Sequence, residues 1–384
     1  MSVGPGPDAC GERKANRQNE YFSKLESQPA SYLVGRFCGS HGEEHTMATD
    51  ILSPILSPRK SALDHSIDAA PLPMDRPDDP EIAPVHGGEH LKSSSNPLRG
   101  NDGEAAEPHF VRIGAVAYLN TKPLIYSLLD RLTRGADAAT DSSKDSPEGS
   151  LRLELPSRLA TELEYESLDV GLIPVVEYFQ NLDRYLGVSD AAIACRGPVW
   201  SVRILFRKAP CEVRTLAVDE GSRTSIALSK ILFHSRFQFV PETTPLPMGM
   251  APQSVDADAV LVIGDRAMKP ERFREDFGTD WDLGEEWLRE TGLPFVFARW
   301  VARNRSFATP GLAALLEQSR DAGCANIDEI VRLQAGRYGL SHEECRDYLT
   351  RFLRFRLGPD ERAGLAEFHR RCQALRLVPE GVLH

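Results

Sequence analysis

V-R-I-G-A-V-A-Y-L-N-T-K-P-L, Val111 to Leu124, reads as a buried strand giving way to a helix. Val111, Ile113 and Val116, with Gly114 and Ala115 between, make the short apolar run of a strand covered on both faces. Tyr118, Leu119, Asn120 and Thr121 supply the turn. Pro123 falls just inside the next helix, where its missing N–H removes no hydrogen bond. In open α/β sheets, ligands bind at the carboxyl ends of strands. Asn120 is therefore expected to face a cleft, with amide donors and a carbonyl acceptor, and Thr121 stands beside it.

The same rhythm continues along the chain. Leu151, Leu153 and Leu155 alternate as a strand, and Pro156-Ser157 open a helix to about Ser167. Val170 to Ile173 is a wholly apolar strand with a helix from about Pro174. Val199 to Phe206 reads as extended, Thr215 to Val218 and Ala259 to Ile263 as buried strands, and Ser222 to Phe233 as a helix. Strands alternating with helices imply an α/β fold with a mostly parallel sheet and helices on both faces. The last third has helical spacing over Gly311 to Ala322, Ile327 to Tyr338, Ser341 to Arg354 and Asp360 to Leu375. Ser341 with Glu344 matches a capping box. Leu365, Phe368, Cys372 and Leu375 fall at the intervals of a core stripe.

Residues 1–108 differ in kind. Runs such as P-L-P-M-D-R-P-D-D-P-E-I-A-P cannot bury enough apolar surface to offset the entropy of ordering. They read either as a disordered leader or as an over-extended start, with Met47 or Met74 as the alternatives. Thr133 to Ser150 is a second low-complexity stretch, expected as a surface loop.

A net charge of −11 argues against nucleic-acid binding, which calls for a basic patch, yet leaves room for a local cluster of donors around an anion. No apolar run is long enough to span a membrane, and the first 30 residues lack the apolar core of a secretory signal. Seven widely spaced cysteines without a C-x-x-C suit reduced thiols in a cytoplasmic protein rather than a disulfide framework or a zinc site. H-E-x-x-H, a Walker glycine loop, G-x-G-x-x-G after a strand and G-x-S-x-G do not occur. Metal, nucleotide and acyl-transfer chemistry lose weight accordingly. No metal site and no cofactor are expected.

Three further motifs place polar groups at strand ends. In D-E-G-S-R-T-S, Asp219 to Ser225, Gly221 permits a tight turn and Ser222 suits a helix N-cap. The free N–H groups of that helix start, with Ser222, Arg223 and Thr224, would cradle a carboxylate. The alternative is a plain cap beside a solvated arginine. R-G-P-V-W-S-V sets Arg196 and Gly197 ahead of a rigid Pro198, and period-two spacing sends Val199 and Ser201 to one face and Trp200 to the other. Ser201 either donates into the cleft or bonds nearby backbone. In I-G-D-R-A-M, Gly264 allows a ligand close to the backbone, while Asp265 reads as a loop tie or helix cap. Glu177 reads as a helix-surface or hinge carboxylate. In W-D-L-G-E-E-W, Trp281 and Trp287 read as packing, and Glu285 and Glu286 as a solvated helix face.

Taken in order with D-V-G-L-I-P-V-V-E-Y (Asp169 to Tyr178), these blocks resemble chorismate dehydratase of the futalosine route to menaquinone, over roughly residues 110–305 and on into the helical tail. The resemblance implies a two-lobed fold of the type II periplasmic-binding-protein kind, with a ligand cleft between the lobes. Lobe 1 would comprise residues 109–200 and 295–384, with the C-terminal helices, and lobe 2 residues 201–294. It implies cofactor-free loss of water from chorismate, a dianion, to give 3-[(1-carboxyvinyl)oxy]benzoate. Asn120 and Ser201 would be catalytic, and Thr121, Arg196, Gly197, Gly221, Ser222, Arg223, Thr224 and Gly264 would bind substrate. Ala117 departs from the family, where a serine is expected. The alternatives are a 1,4-dihydroxy-6-naphthoate synthase-like enzyme, which would use a cleft histidine absent from these blocks, and a non-catalytic solute-binding protein. A transcription-factor effector domain would need a basic helix-turn-helix ahead of residue 110, and the leader is too broken by prolines for one. Nothing in the sequence fixes the oligomeric state.

Overall fold

The computed structural model describes residues 110–128, 132, 148–219, 221, 223–247 and 249–383. The leader and most of the Thr133 to Ser150 segment lie outside these. The chain begins with β1 (Phe110–Val116), a 3-10 turn at Leu119–Thr121 and α1 (Lys122–Ile125), then β2 (Glu148–Glu154), α2 (Pro156–Glu164), β3 (Val170–Pro174), α3 (Val175–Gln180) and β4 (Leu186–Cys195). The middle holds β5 (Val202–Phe206), β6 (Thr215–Asp219), α4 (Arg223–Phe237), β7 (Glu242–Leu246), β8 (Ala259–Ile263), β9 (Thr279–Asp282) and α5 (Leu283–Thr291). The remainder is β10 (Phe295–Ala302), α6 (Pro310–Ala325), α7 (Ile327–Gln334), α8 (His342–Asp347), a π turn at Tyr348–Phe352, β11 (Leu353–Arg356) and α9 (Pro359–Ala374).

Two sheets result. The first has the order β11-β4-β10-β3-β1-β2 and the second β7-β6-β8-β5-β9. The expectation of a mostly parallel sheet is corrected. β1 pairs in parallel with β2 and β3, and β6 with β7 and β8, but β10 is antiparallel to β3 and β4, and β5 to β8 and β9. The reason is topological. The chain leaves the first sheet through the segment before β5 and re-enters it as β10, and each crossing strand runs against its neighbours.

β3 and β8 are buried at all five positions, which accounts for their unbroken apolar sequences. α9 lies on β10 through Phe368, whose ring is 4.8 Å from Phe295, and Trp287 of α5 completes the cluster at 5.3 Å from Phe295. Each such ring removed from water contributes about 1.5–3 kcal/mol. Leu365, Phe368 and Cys372 are buried at the expected spacing, and the Ser341–Glu344 capping box forms.

Two local expectations fail. The helix expected from Ser341 to Arg354 runs on past Asp347 as a π turn but stops at Phe352, because Leu353–Arg356 is drawn out to pair with β4. The extended segment expected from Val199 becomes a strand only at Val202, since Trp200 takes φ 67°. Among the described residues no helix is long and apolar enough to cross a membrane.

Candidate functional site

The cleft is built where strands of both sheets end. Val116 closes β1, and the 3-10 turn that follows delivers Tyr118 and Asn120 to its wall. Pro174 and Pro156, ahead of α3 and at the start of α2, add to the same side, with Ile193, Phe297 and Ala298 from β4 and β10. Facing them are Val199, Ser201 and Val202 from the crossover, Gly221, Arg223, Thr224 and Ser225 from the start of α4, and Ile263 and Gly264 after β8. The space measures about 580 Å³ including its mouth. Its walls are mostly apolar with a few convergent polar groups, the composition expected of a small-molecule site.

A single carboxylate fixes the crossover. Asp282 caps α5 by accepting the N–H groups of Gly284 and Glu285, and it also accepts those of Val199 at 2.9 Å and Trp200 at 2.7 Å. Burial raises its pKa, against the backbone hydrogen bonds and the Arg203 charge that lower it. Pinned in this way, Trp200 enters the left-handed region that most side chains avoid. Ser201, next in the chain, is buried, and its carbonyl accepts the Gly264 N–H at 2.8 Å.

Gly264 itself has φ 62°, and a Cβ there would stand 3.2 Å from the Tyr118 ring. Tyr118 thus lies over the loop following β8. Burial, and then the charges of Asp219 and Asp265, push its pKa up, so the phenol stays a neutral donor. Asp219 in turn holds Gly221 N–H at 3.3 Å and pairs with Arg266 at 3.3 Å.

At the mouth, Arg223 Nη1 lies 2.7 Å from Glu177 Oε2. One step further, the Thr224 hydroxyl accepts the Val176 N–H at 3.4 Å. The starts of α3 and α4 therefore face one another. Two neutral donors, one guanidinium and the N–H groups at the start of α4 can together hold a carboxylate.

The structure brings Asn120, Ser201, Gly221, Arg223, Thr224 and Gly264 to one cleft. It leaves others elsewhere. Thr121 is fully buried, with its hydroxyl 3.4 Å from Asn120 Oδ1. Arg196 is turned outward into an ion pair with Asp360 at 2.9 Å, because Gly197, at φ 95°, bends the chain away from the cleft. Ser222 lies outside the described residues. Val199 and Ser201 line the cleft and Trp200 does not, as the alternation predicts, although Trp200 takes a left-handed rather than an extended conformation. The surface reading of Glu177 is corrected, since it is buried and paired with Arg223, and Glu286, read as part of a solvated helix face, is buried and paired with Arg236 and Arg289.

Two residues were missed. Tyr118, beside Asn120 in the opening block, reads from the sequence only as part of a turn. Tyr348 is fully buried and donates to Ser201 Oγ at 2.9 Å, from 147 positions further along the chain. No local signal marks it.

Residues 111–374 match the family described as menaquinone biosynthesis. The chain is 31% identical over 218 residues to a Thermus thermophilus protein named chorismate dehydratase, covering 52% of this chain and 79% of that one. It is 26% identical over 267 residues to a chorismate dehydratase of Campylobacter jejuni, covering 69% and 99%. Among solved structures it is similar to a protein of Archaeoglobus fulgidus (TM-score 0.56, 16% identity, 70% of this chain and 99% of that one). It is also similar to a Candida albicans gene product with the generic periplasmic-binding-protein fold (TM-score 0.50, 10% identity, 71% and 92%). The two sheets and the cleft between them are that fold.

Proposed function

The chain belongs to the menaquinone biosynthesis family, and from that premise we propose that it dehydrates chorismate to 3-[(1-carboxyvinyl)oxy]benzoate, the first step of the futalosine route. The observation that carries this reading is the convergence of Asn120, Ser201, Arg223 and Thr224 on one cleft of mostly apolar walls.

The reaction takes a proton from the ring carbon bearing the enolpyruvyl ether and expels the neighbouring hydroxyl as water. The proton is vinylogous to the ring carboxylate, so charge spreads into that carboxylate as the C–H bond breaks. Donors aimed there lower the barrier, and aromatisation drives the rest. In this reading one substrate carboxylate lies against the start of α4, held by Arg223 and Thr224. Asn120 orients the reacting end, and Ser201 hydrogen-bonds the departing hydroxyl or a carboxylate. The substrate's own enolpyruvyl carboxylate serves as the base, which suits a cleft lined by hydrogen-bond donors and a guanidinium rather than by bases. Holding that carboxylate over the C–H bond is then the enzyme's main task.

The test is to add chorismate to the purified chain and follow the growth of benzoate absorbance. Growth that depends on Asn120 supports the reading, and its absence with folded protein overturns it.

A further inference from the structure

We propose that Tyr348 is a positioning residue for this reaction: its phenol donates to Ser201 Oγ and directs the hydroxyl proton of Ser201 into the cleft. The inference rests on the dehydratase reading for what the cleft does, and on geometry for what Tyr348 does.

Tyr348 opens the π turn between α8 and β11, a helical form that is rare and concentrated at functional sites. Its ring is fully buried, 5.8 Å from the ring of Trp200, the residue that Asp282 holds in the left-handed conformation. The phenol has one proton, and it goes to Ser201 Oγ at 2.9 Å. Burial, with Asp265 nearby, raises the phenol pKa, so it remains a donor across the working pH range.

The polarity of this chain has a consequence for Ser201. Its oxygen accepts from Tyr348, so its own proton must go elsewhere. Within the protein the acceptor is Val199 O at 3.4 Å, long for a hydroxyl donor. A substrate oxygen in the cleft is the better acceptor. A buried tyrosine hydroxyl needs some partner in any fold. Here the partner is Ser201, a residue assigned to the chemistry, 147 positions earlier in the chain.

The experiment compares the full chain with Tyr348→Phe, Ser201→Ala and the double variant, using chorismate as substrate. Tyr348→Phe keeps the ring and is expected to lower kcat roughly ten- to hundredfold with KM within about threefold of the parent. In the Ser201→Ala background the same change should cost less than about threefold, because its main route of action is already gone. A Tyr348→Phe variant with parental kcat, or one losing the same factor in both backgrounds, overturns the proposal.

A second arm needs no turnover. The Tyr348 hydroxyl proton resonance, identified by its loss in Tyr348→Phe, should shift in Ser201→Ala. A resonance unmoved in Ser201→Ala overturns the hydrogen bond. If the parent chain leaves chorismate unchanged, the dehydratase reading falls, and the hydroxyl resonance still decides the hydrogen bond.

Discussion

Asp282 Oδ2 accepts the backbone N–H of Trp200 at 2.7 Å, from 82 residues further along the chain. The same carboxylate accepts Val199 N–H and caps α5, so one side chain fixes both the crossover beside Ser201 and the helix packed behind it. Removing it strands several N–H groups in a buried place. Asp282→Ala is expected to lower stability by about 3 kcal/mol or more, with Asp282→Asn intermediate because it keeps one acceptor. Urea midpoints for the three proteins measure this. An alanine variant as stable as the parent would show that the crossover is held by other contacts.

Arg223 carries the positive charge at the cleft mouth and shares it with Glu177. A guanidinium that grips a substrate carboxylate equally in the ground and transition states acts on KM rather than kcat. Arg223→Ala is expected to raise KM for chorismate about tenfold, with kcat changed far less. Glu177→Gln should shift KM the other way, since it releases Arg223 from a competing carboxylate. Unchanged KM in both variants would remove Arg223 from the binding site.

The strands legible in the sequence were β1, β3, β6 and β8, from compact apolar runs, with β2 from its alternating leucines and β5 as an extended stretch. Their neighbouring turns then located Asn120, Gly221, Arg223, Thr224 and Gly264. β4 and β10 escaped notice because they are specified by pairing with each other and with β3 and β11, at distances no local pattern encodes. The left-handed turn at Trp200 is imposed by Asp282, and the burial of Glu177 by Arg223. Neither appears until the fold brings the partners together. Tyr348 was hidden for the same reason: it lies in a stretch of helical spacing, and its partner Ser201 lies 147 positions away.

Acid should weaken the first sheet through Asp169. Burial by itself raises this carboxyl, but hydrogen bonds from Arg112 and Arg303 outweigh it, so the group titrates below its usual 3.8. A carboxyl with a depressed folded pKa adds stability above the unfolded value and loses it as pH falls through the folded one. Asp169→Asn is therefore expected to be less stable than the parent by about 3 kcal/mol at neutral pH. The gap should close as pH drops below about 4. Urea midpoints of both proteins from pH 7 to 3 test it, and a gap independent of pH would mean that the charge on Asp169 contributes nothing.

The most direct test of the whole reading is the mass spectrum of whatever the purified full chain makes from chorismate with nothing else added. The expected product has lost one water and kept its enolpyruvyl ether on an aromatic ring, and it forms far more slowly with Asn120→Ala. Chorismate recovered unchanged from folded protein, or a product that has lost the three-carbon side chain, would contradict it.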